Sequence, residues 1–175
     1  KVSKYWGIAL DAGYSSMKGM SPNKIFSFPS YAKRIEGENQ LIGKADKNRI
    51  LYKDGTTGDV WVVGAVAQNM ISLSETEDSV VSLYGRNRYF SPMFKVITET
   101  GIAFGIRENS CGKKPDYVPI MVQTGLPSAY KNDAEDLKES LSDALFFSSF
   151  KTPFMFWFKQ SKEKWKMARY TNFYC

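Results

Sequence analysis

The 175-residue chain contains no histidine and only two cysteines. The first absence removes His-dependent catalytic triads and His-ligated zinc from consideration. Cys111 and Cys175 form neither a metal-ligand spacing nor a disulfide framework. No run approaches the roughly 18 consecutive apolar residues of a spanning helix. Lys1-Val2-Ser3-Lys4 is followed by no signal-like apolar segment. The expectation is therefore a cytoplasmic chain with no membrane partner. Acidic residues are scarce in one region. Residues 1–87 hold 11 basic and 9 acidic side chains, residues 88–150 hold 7 and 8, and residues 151–175 hold 6 and 1, so the net +6 resides mainly in the tail. A pI near 9.2 thus implies no broad basic surface over residues 1–150. The length suits one compact unit with a sizeable core.

The richest local chemistry lies at residues 8–18, Ile-Ala-Leu-Asp-Ala-Gly-Tyr-Ser-Ser-Met-Lys. Trp6, Ile8 and Leu10 alternate with Gly7 and Ala9, the period-two pattern of a strand packed closely on one face. The strand is expected to end at Asp11, with Gly13 at positive φ reversing the chain. The backbone N–H groups of Gly13, Tyr14, Ser15 and Ser16 then point into the bend and attract an anion. Ser15 and Ser16 add hydroxyl donors, Lys18 adds positive charge, and Asp11 suits Mg²⁺ held through its water shell. Asp and Gly are also ordinary turn residues, so a simple hairpin is the competing reading, with Lys18 on a solvated strand face.

Residues 16–20 and 24–30 read as two further short strands joined at Ser21-Pro22-Asn23, giving an antiparallel three-stranded start. Residues 31–58 are polar and loop-like, except that Ile50-Leu51-Tyr52 and Val60-Trp61-Val62-Val63 flank an Asp54-Gly55 hairpin signal. A short helix over about 65–70 and an exposed acidic loop over 72–88 follow. Ser91-Pro92 opens a core helix over 91–108, with Phe90, Phe94, Ile97, Gly101 and Phe104 on its apolar face. Gly101 and Gly105 each cost about 1 kcal/mol of helix propensity, which points to a neighbouring backbone approaching there. Residues 117–124 read as a largely buried central strand with Pro119 near its start. Asn132 and Glu135 resemble a capping box opening a helix over 132–146, buried through Leu137, Leu141, Ala144 and Leu145. Phe154–Phe158 and a return strand beyond Trp165 suggest a terminal hairpin. The order strand, strand, strand, helix, strand, helix implies an α/β domain with a mixed sheet.

Asp11-x-Gly13-x-x-x-x-Lys18 after an N-terminal apolar strand resembles the first phosphate motif of the actin-like ATPases, in particular the plasmid-segregation ParM/StbA-like branch. Phe28-Pro29-Ser30, Trp61-Val62-Val63-Gly64-Ala65-Val66-Ala67 and Val122-Gln123-Thr124-Gly125-Leu126-Pro127 resemble further segments of that family in the same order. The resemblance covers about residues 5–145. It implies a ribonuclease-H-like fold with flanking helices, ATP or GTP with Mg²⁺ as ligand, and phosphate contacts at Asp11, Gly13, Tyr14, Ser15, Ser16 and Lys18. It also implies filaments of like protomers and plasmid or phage DNA reached through an adaptor.

Full-length members carry a second domain with an Asp-x-Gly-x-x-Thr loop, and no such segment occurs here. The expectation is therefore a single N-terminal domain over 1–150, with 151–175 a basic aromatic hairpin of the same domain. No catalytic set is complete in such a chain, so it is expected to be inactive alone and to self-associate, if at all, through residues 146–175. Two other classes compete: a fragment of a small-molecule kinase of the same superfamily, and a non-enzymatic interaction or nucleic-acid-binding module using the basic tail. A sugar or acetate kinase would need a substrate-binding carboxylate where this chain has Gln123-Thr124-Gly125.

Overall fold

The computed structural model describes residues 5–36, 49–55, 57–71, 86–126, 132–147, 154–158 and 166–169. Nine strands form two sheets among these residues: β1 (Trp6–Ala12), β2 (Ser16–Ser21), β3 (Lys24–Pro29), β4 (Ala32–Ile35), β5 (Ile50–Lys53), β6 (Val60–Val63), β7 (Ile120–Thr124), β8 (Phe154–Phe158) and β9 (Lys166–Arg169). The helices are α1 (Ala65–Met70), a 3₁₀ helix (Arg86–Phe90), α2 (Pro92–Ile106) and α3 (Ala134–Phe147). The larger sheet has the order β3-β2-β1-β7-β8-β9, and β4-β6-β5 form the smaller one. β1 to β3 are antiparallel, β7 runs parallel to β1, β8 runs parallel to β7, and β9 returns antiparallel to β8. The mixed sheet and the central place of β7 agree with the sequence reading.

Alternation in β1 sends Trp6, Ile8 and Leu10 into the core, where they meet Met17, Ile120, Val122 and the inner face of α2. Burial of each large apolar side chain of this kind contributes about 1.5–3 kcal/mol. The helix lies close because two of its residues lack a Cβ. An atom at that position on Gly105 would stand 2.8 Å from Ile8 Cγ2, and on Gly101 it would stand 3.4 Å from Leu10 and Met17. The approaching groups are thus side chains of β1 and β2, not the neighbouring backbone expected from sequence. Trp6 Nε1 donates to the Gly105 carbonyl at 2.9 Å, satisfying the indole where it is buried.

Several boundaries differ from those expected. β1 continues one residue past Asp11, and β4 lies inside the region read as loop. Phe90 precedes the Ser91 N-cap and is exposed, so it does not extend the apolar face of α2. β7 begins at Ile120, and Gln123 is exposed because only one face of the strand is covered. Residues 132–133 form a 3₁₀ turn ahead of α3. Glu135 accepts a hydrogen bond from Lys138 at 3.0 Å. α3 packs on α2 and the 3₁₀ helix through Leu137 and Leu141. The side chains of Ala144 and Leu145 and those of residues 154–158 and 166–169 lie outside the described residues, as do residues 72–85. The expected self-association through the tail therefore falls outside them as well.

The smaller sheet is tied to α2 by a polar cluster. The Tyr52 hydroxyl donates to Glu99. Lys95 Nζ meets Asp54 Oδ2 at 2.7 Å, and Asp54 Oδ1 accepts from the Thr57 amide. Burial pushes the Glu99 carboxyl above its ordinary value, while the Tyr52 hydrogen bond and the Lys95 charge oppose that rise. Burial also raises the Tyr52 phenol, which therefore stays neutral and donating.

Candidate functional site

β1 and β7 run parallel and in register, Leu10 beside Thr124, so both leave the sheet at the same end. In open α/β sheets the crevice beyond the carboxyl ends of parallel strands is the usual ligand position. A groove of about 590 Å³ runs along the sheet face opposite the core, from Ala9, Met20 and Ile25 toward that end, where Asp11, Lys18 and Thr124 line it. Asp11 and Lys18 are cross-strand partners in the β1–β2 pair, and both are exposed. Their placement gives the groove one carboxylate and one ammonium on the same sheet face.

The β1–β2 turn lies between two residues of the groove, Asp11 and Lys18, and does not itself line it. Positive φ occurs at Gly58, Gly64 and Gly112 but not at Gly13, which corrects the sequence-based expectation. Gly13 is needed for closeness instead: a Cβ there would stand 2.8 Å from the Ser16 carbonyl oxygen. The carbonyls of the turn are taken from the protein side. Arg88 Nη2 donates to the Ala12 carbonyl at 2.9 Å, Ser30 Oγ to that of Gly13 at 2.8 Å, and the Ser30 amide to that of Ser15 at 3.1 Å. In a trans peptide the following N–H points opposite to the carbonyl. These three bonds therefore turn the N–H groups of Gly13, Tyr14 and Ser16 away from their donors. The arrangement fixes the orientation of a small set of amide dipoles, chemistry that favours an anion.

The residues expected from sequence occupy one neighbourhood. Asp11 and Lys18 lie in the groove, Gly13, Tyr14 and Ser15 form the turn, and Ser16 opens β2. Ser15 is exposed, whereas Gly13, Tyr14 and Ser16 are half-buried. Tyr14 differs from expectation in its side chain, whose ring lies 4.5 Å from the Arg88 guanidinium carbon. Among the described residues no group of three His, Cys, Asp or Glu side chains gathers to hold a metal. Asp11 is then a lone carboxylate, a donor set that fits Mg²⁺ held largely through water and not an all-protein cage.

Ser30 and Arg88 are not among the residues that the sequence points to. Ser30 had a visible signal, since it ends Phe28-Pro29-Ser30, one of the segments of the family resemblance. Arg88 had none. It stands in what reads as an exposed loop, and its partners Ala12 and Tyr14 are more than 70 residues upstream.

The model of the N-terminal domain of actin-like proteins matches residues 9–147. No curated protein matches the sequence. Among solved structures, that of apo pSK41 ParM is 21% identical with a TM-score of 0.55, covering 79% of this chain and 42% of that one. A non-polymerisable quadruple mutant of pCBH ParM is 20% identical with a TM-score of 0.52, covering 95% of this chain and 44% of that one. At such identities the likeness concerns the fold. The chain spans less than half the length of either ParM chain.

Proposed function

The chain belongs to the family of actin-like protein N-terminal domains, and on that premise we propose that it is the N-terminal portion of a nucleotide-dependent, filament-forming protein that segregates plasmid or phage DNA in the cytoplasm. The observation that carries the ligand assignment is the groove that reaches the carboxyl ends of β1 and β7, with Asp11 and Lys18 flanking the pinned turn in the chain. In this reading the turn amides, Ser15, Ser16 and Lys18 receive phosphate oxygens of ATP or GTP, and Asp11 orients Mg²⁺ through its waters. Gly13 permits the close turn and Tyr14 anchors it.

Assembly of like protomers is supported by the ParM fold, one of whose representatives is described as a non-polymerisable mutant. The DNA cargo and its adaptor follow from the family resemblance. The test is titration of the 175-residue chain with Mg-ATP and Mg-GTP, followed by calorimetry and by amide shifts of residues 13–16. We expect saturable binding that is weakened in Asp11→Ala and Lys18→Ala. Absence of binding, or binding indifferent to both substitutions, overturns the assignment of this groove.

A further inference from the structure

Arg88 is nine-tenths buried, with 9% of its surface exposed. Its guanidinium lies 4.5 Å from the Tyr14 ring centre, 5.1 Å from that of Tyr89 and 5.3 Å from that of Phe94. Nη2 donates to the Ala12 carbonyl, while Nε has no hydrogen-bond partner. Among the described residues no carboxylate pairs with it. A guanidinium is always charged, and a buried charge without a counter-ion is costly. Aromatic faces and one carbonyl offset part of that cost, but they carry no net negative charge. Such a residue is not explained by packing alone, because an apolar side chain would fill the same space without the penalty.

Among the described residues, the turn that Arg88 holds is where a negative charge would balance it. Arg88 holds the Ala12 carbonyl at the start of the turn and the face of Tyr14 within it, on the side opposite to the Gly13 amide. We infer that Arg88 is the positioning residue of this anion site: it fixes the turn through Ala12 and Tyr14, and its buried charge is balanced by an anionic phosphate carried on the other side. This rests on the proposed reading of the turn as a phosphate site. Two functions then reside in one side chain. The planar fork sets the peptide orientation, and the charge raises the affinity of the turn for an anion over a neutral ligand. The 3₁₀ helix that carries Arg88 is thereby a structural part of the site, although it is distant in sequence.

The test uses inorganic pyrophosphate as probe on the full 175-residue chain, comparing wild type with Arg88→Lys and Arg88→Gln. Pyrophosphate affinity is measured by calorimetry, and hydrogen exchange is read at the amides of residues 13–16 and, as a fold control, of β1 and β7. Arg88→Gln is expected to bind about tenfold more weakly or worse, the loss of one charge-assisted contact, and to exchange faster at the turn but not in β1 and β7. Arg88→Lys should recover part of the affinity because the charge remains. Undiminished binding by Arg88→Gln overturns the inference. If wild type itself binds no pyrophosphate, the phosphate reading fails and the charge-balance half of the inference fails with it. Exchange at the turn then decides the positioning half, which is overturned by equal rates in wild type and Arg88→Gln. Should Arg88→Gln fail to fold, Arg88→Lys decides: affinity reduced with faster turn exchange supports the role, and both unchanged overturns the need for the planar fork.

Discussion

Gly105 carries no side chain because Ile8 occupies the space where one would be. Replacing it with alanine improves helix propensity by about 1 kcal/mol, yet places a carbon 2.8 Å from Ile8 Cγ2 and 2.9 Å from Cδ1 in the core. Overpacking of this kind costs about 1–3 kcal/mol. Gly105→Ala is therefore expected to be less stable than wild type by about 1 kcal/mol or more, read as a lower urea midpoint, and an unchanged or higher midpoint would show that α2 shifts freely. A second prediction concerns Glu99, whose surroundings comprise Tyr52, Lys95 and Asp54. Its carboxyl is held above the ordinary 4.5, mainly by burial. Between 4.5 and that raised value the folded chain binds more protons than the unfolded one, so the Glu99 contribution is full below 4.5 and is lost as pH rises through the folded pKa. Glu99→Gln keeps an acceptor for the Tyr52 hydroxyl and removes the titration. Its urea midpoint should fall less than that of wild type as pH rises from 4.5 toward neutrality, and parallel profiles would exclude Glu99 as the source.

At the scale of elements, the Ser91 hydroxyl joins two helices. It accepts from the Phe94 amide at 3.1 Å as the N-cap of α2 and donates to the Arg88 carbonyl at 2.8 Å. Ser91→Ala should cost about 1 kcal/mol and also loosen the 3₁₀ helix, whereas Ser91→Thr keeps both bonds. Equal urea midpoints for the two variants would remove the cap from the account. This helix start was legible because serine before proline acts locally. β4 was not, since Ala32-Lys33-Arg34-Ile35 has two adjacent charges and becomes a strand only by pairing with β6 some 30 residues later. The site divides in the same way. Asp11, Gly13 and Lys18 are close in sequence and visible in a single turn. Arg88 depends on tertiary contacts with Ala12 and Tyr14, and no local pattern reports those. The Gly13 reading chose the right residue for the wrong reason, because composition does not distinguish a need for positive φ from a need for space.

For the whole molecule, the groove defines what these residues can and cannot do to a nucleotide. It supplies a carboxylate and an ammonium, Asp11 on β1 and Lys18 on β2, next to the β1–β2 turn in the chain. Phosphoryl transfer depends on holding γ-phosphate, metal and attacking water together, and loss of that positioning removes most of the rate advantage. Among the described residues no second carboxylate joins Asp11 in the groove to orient water. The matched ParM chains are more than twice the length spanned here, which leaves room in such proteins for the remaining contacts. The 175 residues alone are therefore expected to bind Mg-nucleotide without turning it over, and to form no nucleotide-dependent filaments. Phosphate release measured with excess Mg-ATP should match buffer alone, and electron micrographs taken with and without ATP should look the same. Steady turnover abolished by Asp11→Ala would show that the groove is chemically sufficient as it stands, and polymers that appear only with ATP would show that protomer contacts reside within this domain.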